Sequence, residues 1–389
     1  MKKCIIIPDS FKGTMTSVEV SEIMAEAVKR HDPDCEIVTI PIADGGEGTV
    51  DCFLRAEKGE KVNIKVSDAY GKTIEGFYGR FGDTAVIEMA AVAGMVSNTR
   101  RDTLEASTYG VGQIIAHAIN NGTKTILIGL GGSCTSDAGC GMAAALGMKF
   151  YDKHGTQFVP TGSTLHKVAK ASRTEIDKRL EGIRVCCMCD TNKVMYGPDG
   201  AAYVYAPQKG ATKEQVRILD ENLRTFADLI KRDLGIDVST IPGGGAAGAM
   251  GAGAVAFMNA ELKPGIEYIM DMVKFDEQLE DADCVFTGEG SFDMQSMSGK
   301  AVYGVASRAK RHNVPVIVIA GRNKNGTHDL SEVGITAVYE TANSENFEEI
   351  KRTCRNDLAS TMDKVLEEIN VTLSLFEQQK GGGCFHTND

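Results

Sequence analysis

The feature that most constrains this chain is a repeated change from a short apolar run to a glycine-rich turn that carries an acidic residue. Four segments show this pattern, each after a predicted strand: 8–14, 43–49, 131–141 and 287–300. A fifth turn, 190–193, reads Asp-Thr-Asn-Lys and follows the apolar run 185–189. Loops at the carboxyl ends of parallel strands gather at one edge of a sheet. The pattern therefore predicts an α/β fold with a binding site at that edge.

The order of the predicted elements divides the chain into two parts. Strand and helix alternate at both ends of the chain, whereas the segment 62–89 alternates apolar and polar residues as antiparallel hairpins do. We therefore predict two different α/β domains with a cleft between them. The first is a Rossmann-like parallel-sheet domain in two chain segments, 1–62 and 240–380, and the second is an inserted mixed α/β domain with a mixed sheet, 63–239. The polar, glycine-rich tail 381–389 is predicted to be disordered.

Composition argues against several classes of function. The 389 residues carry a net charge of −11, which disfavours a nucleic-acid partner or an anionic membrane surface. No apolar run approaches the ~18 residues of a membrane span. The eleven cysteines are odd in number and scattered, which favours a reduced, cytoplasmic protein. Cys186, Cys187 and Cys189 lie in a predicted strand, and we interpret them as small core residues rather than metal ligands.

The glycine-rich turns carry the groups that Mg²⁺-dependent phosphoryl transfer requires. Carboxylates bind the cation, lysines and backbone N–H groups meet the phosphates, and one carboxylate acts as base. The acids are Asp9, Asp44, Glu47, Asp137, Asp190, Glu289 and Asp293, and the lysines are Lys12, Lys193 and Lys300. A serine hydrolase is disfavoured because the chain has no G-x-S-x-G elbow, and a dehydrogenase because no first strand leads into G-x-G-x-x-G. The chain also has no Walker A loop.

Each turn also has a purely structural interpretation. Asp9 and Ser10 would suit a tight turn, and Asp44 and Glu47 would suit a solvated one. Ser133 and Ser136 could cap the helix that follows them. The presence of all the turns in one chain favours a shared binding site.

Several motifs in the chain resemble those of the bacterial glycerate kinases of the first class, in family order and spacing from residue 1 to about 340. The first is Pro8-Asp9-Ser10-Phe11-Lys12-Gly13-Thr14. The others lie at 41–49, 87–90, 108–112, 131–133, 207–211 and 287–290. Departures are Cys134, where the family usually has Ala, Ser136, where Asn is common, and Ser291, where the family often has Arg. The tail after residue 380 has no family counterpart.

The resemblance implies a kinase that transfers the γ-phosphoryl group of ATP to D-glycerate, giving 2-phosphoglycerate and ADP, with ATP and Mg²⁺ as cofactors. It implies small-molecule substrates, no nucleic acid and no membrane, and leaves a homodimer as one alternative for the oligomeric state. A kinase, phosphatase or mutase that acts on another small hydroxy acid is the alternative enzyme. A sensor of sugar acids that binds without turnover is the alternative outside enzymes.

The predicted site residues follow from the turns and the resemblance together. Asp190 is the first candidate for the general base, with capping of the following turn as its structural alternative, and Asp44 is the next candidate or a Mg²⁺ ligand. The other catalytic candidate is Lys12. The predicted glycerate-binding residues are Asp9, Ser10, Lys12, Gly45, Gly46, Glu47 and Lys300. The predicted ATP-binding residues are Gly131, Gly132, Ser133, Ser136, Gly288, Glu289 and Gly290. The predicted metal ligands are Asp44, Glu289 and Asp293.

Overall fold

The computed structural model describes residues 1–11, 13–42, 45–98, 100–292, 301–324 and 330–381. Its strands, in chain order, are β1 (Lys3–Ile6), β2 (Glu36–Thr39), β3 (Glu60–Ser67), β4 (Thr73–Phe81), β5 (Thr84–Glu88), β6 (Thr125–Gly129), β7 (Lys149–Tyr151), β8 (Gln157–Phe158), β9 (Lys170–Ser172), β10 (Arg184–Met188), β11 (Glu261–Lys263), β12 (Cys284–Phe292), β13 (Val316–Asn323) and β14 (Ala337–Glu340).

The helices, in chain order, are α1 (Ser17–His31), α2 (Thr49–Ala56), α3 (Ala90–Ala93), α4 (Tyr109–Asn120), α5 (Cys140–Ala145), α6 (Thr174–Arg179), α7 (Ala201–Tyr205), α8 (Lys213–Leu234), α9 (Ala246–Met258), α10 (Gly265–Met272), α11 (Phe275–Leu279), α12 (Ala301–Arg311) and α13 (Phe347–Gly381). Short 3₁₀ turns lie at Leu165–Lys167, Pro207–Lys209 and Ser331–Val333. Within the described ranges, none of the helices combines the length and apolarity needed to cross a bilayer.

The chain forms two compact units. The parallel-sheet unit consists of Met1–Ile42 and Met270–Asp389. Its five strands follow the order β14-β13-β12-β1-β2 and all pair in parallel. Apolar residues of α1, α13 and the sheet strands fill one core, because each element presents one apolar face to the others. This unit matches the predicted Rossmann-like sheet in two chain segments.

Local capping explains where α1 begins. The Thr16 side chain accepts a hydrogen bond from Glu19 N, and the Glu19 carboxylate accepts one from Thr16 N. This capping box satisfies two backbone N–H groups at the start of the helix.

The mixed-sheet unit consists of Ala43–Ile269. Its main sheet follows the order β11-β10-β6-β5-β4-β3. The pairs β3–β4 and β4–β5 are antiparallel, as the alternating segments predict, and the other three pairs are parallel. A small antiparallel sheet, β8-β7-β9, lies in the same unit. The α/β class, with one parallel and one mixed sheet, is therefore confirmed.

The units and the sequence-based domains differ in their boundaries. The units change near residues 42 and 270, whereas the sequence places the boundaries near 62 and 240. The difference arises because α2 packs on β4 and β5, and α9 packs on α5, β10 and β11, all in the mixed-sheet unit. The division into a domain of 1–62 with 240–380 and a domain of 63–239 stays a prediction. Residues 382–389 of the predicted tail lie outside the described residues.

The predicted end of one strand is wrong. The sequence predicts that the run beginning at Cys284 stops before Gly288, but β12 continues to Phe292. Its last residues pair with β13, where Ser291 is opposite Arg322. The pairing with β13 overrides the local tendency of glycine to end a strand. The segment 288–290 is therefore part of a strand and not a loop.

The cysteines of β10 are core residues, as predicted. Cys186 and Cys187 are fully buried and Cys189 is nearly so. In the described part of the chain, all ten cysteines are free and buried. Burial raises the pKa of the Cys189 thiol to about 11, so it stays protonated at neutral pH.

Candidate functional site

Three strand ends of the mixed-sheet unit lie at the same level. Gly129 at the end of β6 pairs in register with Glu88 of β5 on one side and with Met188 of β10 on the other. The chain leaves all three strands at this edge and enters polar, glycine-rich segments. This is the carboxyl edge of the parallel part of the sheet, where α/β proteins bind ligands.

The predicted glycerate-binding turn packs directly on the predicted ATP-binding turn. The Gly131 N–H donates to the Gly45 carbonyl over 3.0 Å. A Cβ atom at Gly131 would lie 2.7 Å from the Gly46 Cα, and one at Gly129 would lie 2.2 Å from the Gly45 oxygen. Side chains at these positions would collide with the opposite backbone. The two turns are therefore held together by backbone contact that only glycine permits.

Glu88 holds the turn that contains Gly45 and Gly46 through hydrogen bonds at its end. Its side chain is buried, and its carboxylate accepts hydrogen bonds from Gly48 N over 3.2 Å and from Val50 N over 2.5 Å. These N–H groups belong to the start of α2, where a negative charge is favourable. Burial raises the pKa of the Glu88 carboxyl, and the two backbone hydrogen bonds oppose that rise. In the sequence, the only signal for Glu88 is its place in the motif 87–90.

Glu47 and Gly132 are exposed, one in each of the two turns. Gly132 has φ = +73°, a conformation that suits glycine, and its carbonyl accepts from Met95 N over 2.9 Å. Both residues stay predicted ligand contacts.

Ser133 is buried, and its hydroxyl accepts a hydrogen bond from the Lys209 ammonium over 2.9 Å. The same ammonium donates to the Thr135 carbonyl over 2.6 Å. Lys209 is only 3 % exposed, although lysine is among the residues least often buried. Burial lowers the pKa of Lys209 to about 8. In the sequence, the only signal for Lys209 is its place in the motif 207–211.

Ser136 and Asp137 make contacts inside the protein. The Ser136 hydroxyl lies 2.8 Å from the Thr103 hydroxyl and is 2 % exposed. The fully buried Asp137 carboxylate accepts from the Thr108 N–H, the Thr108 hydroxyl and the N–H groups of Gly139 and Gly141. Burial raises the pKa of Asp137, and these hydrogen bonds oppose the rise. Asp137 therefore joins α4 to the turn before α5, while ATP contact by Ser136 stays a prediction.

Asp190, the predicted base, follows β10 and is exposed. Its Oδ1 accepts a hydrogen bond from Gly265 N at the start of α10 over 3.0 Å. The structure thus includes a capping contact, made with a helix start 75 residues away in the chain. This bond fixes one carboxylate oxygen and is compatible with a catalytic role.

Predicted site residues also meet in the parallel-sheet unit. Asp9 N donates to the Gly288 carbonyl over 2.8 Å, which ties the first turn to β12. The Asp9 carboxylate accepts from the Ser10 N–H over 2.6 Å. Both residues are half-buried, as are Glu289 and Gly290. The turn after β1 and the end of β12 are therefore neighbours, as the predicted gathering of strand ends requires.

Packing alone explains why residue 288 is glycine. A Cβ atom at Gly288 would lie 2.0 Å from the Ile319 carbonyl oxygen on β13. On the same strand pair, a Cβ atom at Gly321 would lie 2.4 Å from the Gly290 oxygen. Close approach of β12 to β13 thus accounts for the glycine at 288, and its contact with ATP stays a prediction.

Position 291, where the resembling family often has Arg, carries a serine with a buried hydroxyl oxygen. This Oγ has no hydrogen-bond partner within the described ranges. Arg322 stands opposite it on β13 and forms an ion pair with Glu340 over 3.1 Å. A cation is therefore present beside position 291, on the neighbouring strand.

Four predicted site residues lie outside the described residues: Lys12, Asp44, Asp293 and Lys300. Two of the three predicted metal ligands are among them. Among the residues that are described, no group of three or more His, Cys, Asp or Glu side chains could hold a metal ion. Magnesium commonly takes only one or two carboxylates and completes its shell with water and phosphate oxygens. The carboxylate of Glu289 offers the oxygen ligands that Mg²⁺ prefers.

Comparison with known proteins gives a consistent result. A model of the glycerate kinase family matches residues 4–370. The chain is 42 % identical over 343 residues to a glycerate kinase of Halalkalibacterium halodurans, covering 87 % of this chain and 90 % of the relative. It is 38 % identical over 346 residues to a glycerate 2-kinase of Escherichia coli K12, covering 88 % and 91 %.

A solved structure supports the same assignment. A protein of Salmonella typhimurium LT2, assigned as glycerate kinase 2, superposes with a TM-score of 0.83 at 37 % identity. The match covers 96 % of this chain and 99 % of that one. The sequence matches and the structural match each cover most of this chain. The chain belongs to the glycerate kinase family.

Proposed function

We propose that this chain transfers the γ-phosphoryl group of ATP to the 2-hydroxyl of D-glycerate, giving 2-phosphoglycerate and ADP. Family membership makes ATP the phosphoryl donor. The relative from Escherichia coli, named a glycerate 2-kinase, supports the choice of the 2-hydroxyl.

One observation carries the proposal beyond family membership. The turn with Gly45 and Gly46 is hydrogen-bonded to the turn with Gly131, and Ser133 follows within two residues. A glycerate-binding turn and a phosphate-binding turn in this arrangement would hold acceptor and donor close together. Phosphoryl transfer depends mainly on such positioning and on charge neutralisation.

Each predicted site residue has a proposed role in binding or catalysis. Gly131, Gly132 and Ser133 would offer backbone N–H groups and a hydroxyl to phosphate oxygens. Asp9, Ser10, Gly45, Gly46 and Glu47 are the proposed glycerate contacts. Lys12 and Lys300 would meet the negative charge of glycerate and phosphate. Asp190 would accept the proton of the reacting hydroxyl, with one of its oxygens held in place by the Gly265 N–H.

Mg²⁺ is proposed as the cation, with Asp44, Glu289 and Asp293 as the carboxylates that would hold it. When bound, it would offset the charge that accumulates on the transferred phosphoryl group. The free, buried cysteines of the described residues suit a reducing compartment, and we place the protein in the cytoplasm.

The reaction is tested by ADP release over a panel of small hydroxy acids, with phosphorus NMR of the product. D-Glycerate should give the highest kcat/KM, and the product should carry its phosphate on C2. ADP release with another acid at a higher kcat/KM would change the substrate. No ATP turnover with any acid would exclude a kinase and favour the phosphatase, mutase or sensor alternatives.

The base is tested by Asp190→Asn. The amide keeps an oxygen that can still accept from the Gly265 N–H but cannot accept a proton, so kcat should fall by ~10²–10⁴ while ATP binding is retained. Asp177→Asn, an exposed aspartate of α6, is the matched control. A thermal melt on the same samples checks folding. A folded Asp190→Asn variant within a few-fold of wild-type kcat would move the base to Asp44.

A further inference from the structure

Lys209 is a buried cation whose ammonium hydrogen bonds go to neutral groups. The chain brings it inside through the 3₁₀ turn Pro207–Lys209, after which Gly210 adopts φ = +95°. Its ammonium donates to two neutral oxygens, the Ser133 hydroxyl and the Thr135 carbonyl. Among the described residues, no carboxylate oxygen lies within ion-pair distance of it. Burying an unpaired charge is costly, so a lysine here needs a reason other than stability.

The ammonium determines what the Ser133 hydroxyl can do. A hydroxyl donates one hydrogen bond and accepts others, whereas an ammonium only donates. Because Lys209 donates to the Ser133 oxygen, the hydroxyl proton must point elsewhere. In the described part of the chain, no protein acceptor receives that proton. A hydrogen bond from a cation also makes the hydroxyl a stronger donor, since linked hydrogen bonds polarise one another.

Lys209 also holds the backbone of the same turn. Its second bond, to the Thr135 carbonyl, reaches across two residues from Ser133. The turn that contains Ser133 is the one whose Gly131 packs against Gly45. Lys209 therefore contacts the turn 131–136 at two points, one side chain and one backbone carbonyl.

We propose that Lys209 is a positioning residue for nucleotide binding. It directs the Ser133 hydroxyl proton toward a phosphate oxygen of ATP, and it places a positive charge next to the turn 131–136. The inference rests on the proposed function for the identity of the anion. It goes beyond that function because it assigns the motif 207–211 a role that neither the turns nor the resemblance supply.

The electrostatic surroundings of Lys209 agree with this role. The ionisable groups that face it are Cys134 and Asp137, with Arg101 near Cys134. Burial raises the pKa of the Cys134 thiol to about 11, so the thiol brings no charge near pH 7. The pKa of Lys209 is lowered to about 8, and a nearby anion would restore the preference for the charged ammonium. ATP would supply that anion.

The test measures ATP binding by titration calorimetry in the absence of glycerate, and the two KM values in the coupled assay. The variants are Lys209→Met, Ser133→Ala and the double variant, with Lys178→Met and Ser172→Ala as matched controls away from this turn. Each single variant should weaken ATP binding by roughly 10- to 100-fold. The double variant should be no weaker than the worse single one, because Lys209 acts through Ser133. The KM for glycerate should stay within a few-fold.

Several results would overturn the proposal. Unchanged ATP affinity in folded Lys209→Met or in Ser133→Ala would do so, as would fully additive losses in the double variant. Equal changes in the KM values for ATP and glycerate would assign Lys209 a general structural role. If Lys209→Met does not fold, Ser133→Ala and Lys209→Gln decide. Failure of the proposed function is separate: a wild type that binds ATP but does not phosphorylate glycerate still allows the calorimetric test.

Discussion

The lowered pKa of Lys209 predicts a measurable dependence of stability on pH. The pKa is 10.5 when the side chain is in water and about 8 when it is buried. Below pH 8 both the folded and the unfolded chain carry the proton. The folded chain then bears the full free-energy cost of burying the charged ammonium. Between pH 8 and 10.5 the folded chain has lost the proton while the unfolded chain keeps it. The unfolded state then binds more protons, so the free energy of unfolding rises with pH.

The magnitude follows from the size of the shift. One pKa unit corresponds to 1.36 kcal/mol, so the shift amounts to roughly 3 kcal/mol in total. About 2 kcal/mol of this should appear between pH 7.5 and 9.5. Other groups titrate in the same range, and the comparison with Lys209→Met removes their contribution. The quantity to measure is therefore the difference between wild type and variant at each pH.

Urea unfolding at pH 7.5, 8.5 and 9.5, with a reducing agent present, gives that difference. Wild type should gain about 2 kcal/mol relative to Lys209→Met across this range. Lys178→Met, which changes an exposed lysine, should show the same pH slope as wild type. Parallel slopes for wild type and Lys209→Met would refute the lowered pKa. They would mean that water reaches the ammonium, or that an anion within the fold pairs with it.

Further predictions concern the two turns and the strand β12. Glu88→Gln should lower the free energy of unfolding by about 1–3 kcal/mol and raise the KM for glycerate, because Glu88 holds Gly48 N and Val50 N; a change in KM without loss of stability would contradict this. Gly288→Ala should destabilise the chain even without ATP, because its Cβ would lie 2.0 Å from the Ile319 oxygen; a normal melting temperature would contradict the clash. Lys12→Ala and Lys300→Ala should each reduce kcat/KM by roughly 10- to 100-fold through loss of a charge-assisted hydrogen bond; normal kinetics in a folded variant would remove that lysine from the site.

Elements defined by local signals could be predicted well. The amphipathic period of 213–234 predicts a helix with Leu219, Leu223 and Phe226 on its inward face. The helix α8 has these bounds, and the three side chains are buried. Its amphipathic period, the Thr212 cap and the left-handed Gly235 all lie within one short stretch of sequence. The end of β12 could not be predicted in this way, because its last residues are strand only through pairing with β13.

The candidate site also contains residues that local sequence patterns reveal and residues that they do not. The turns at the strand ends could be found from the sequence because each one is a local pattern. The roles of Glu88 and Lys209 could not, because each depends on a partner far along the chain, 40 residues for Glu88 and Gly48 and 76 for Lys209 and Ser133. Both side chains are buried, which no local pattern predicts for a charged residue.

The glycines of the site therefore need a more careful interpretation than the sequence suggests. Glycine-rich turns often mark places where a ligand approaches the backbone, which favours Gly131 and Gly288 as ATP contacts. In the structure, the atom that approaches Gly288 is the Ile319 carbonyl oxygen, and the atoms that approach Gly131 belong to Gly46. Glycine at these positions is required whether or not ATP binds there. The stronger indication of a ligand is a polar group that is prepared to donate and has no acceptor within the described residues, and the Ser133 hydroxyl beside Lys209 is such a group.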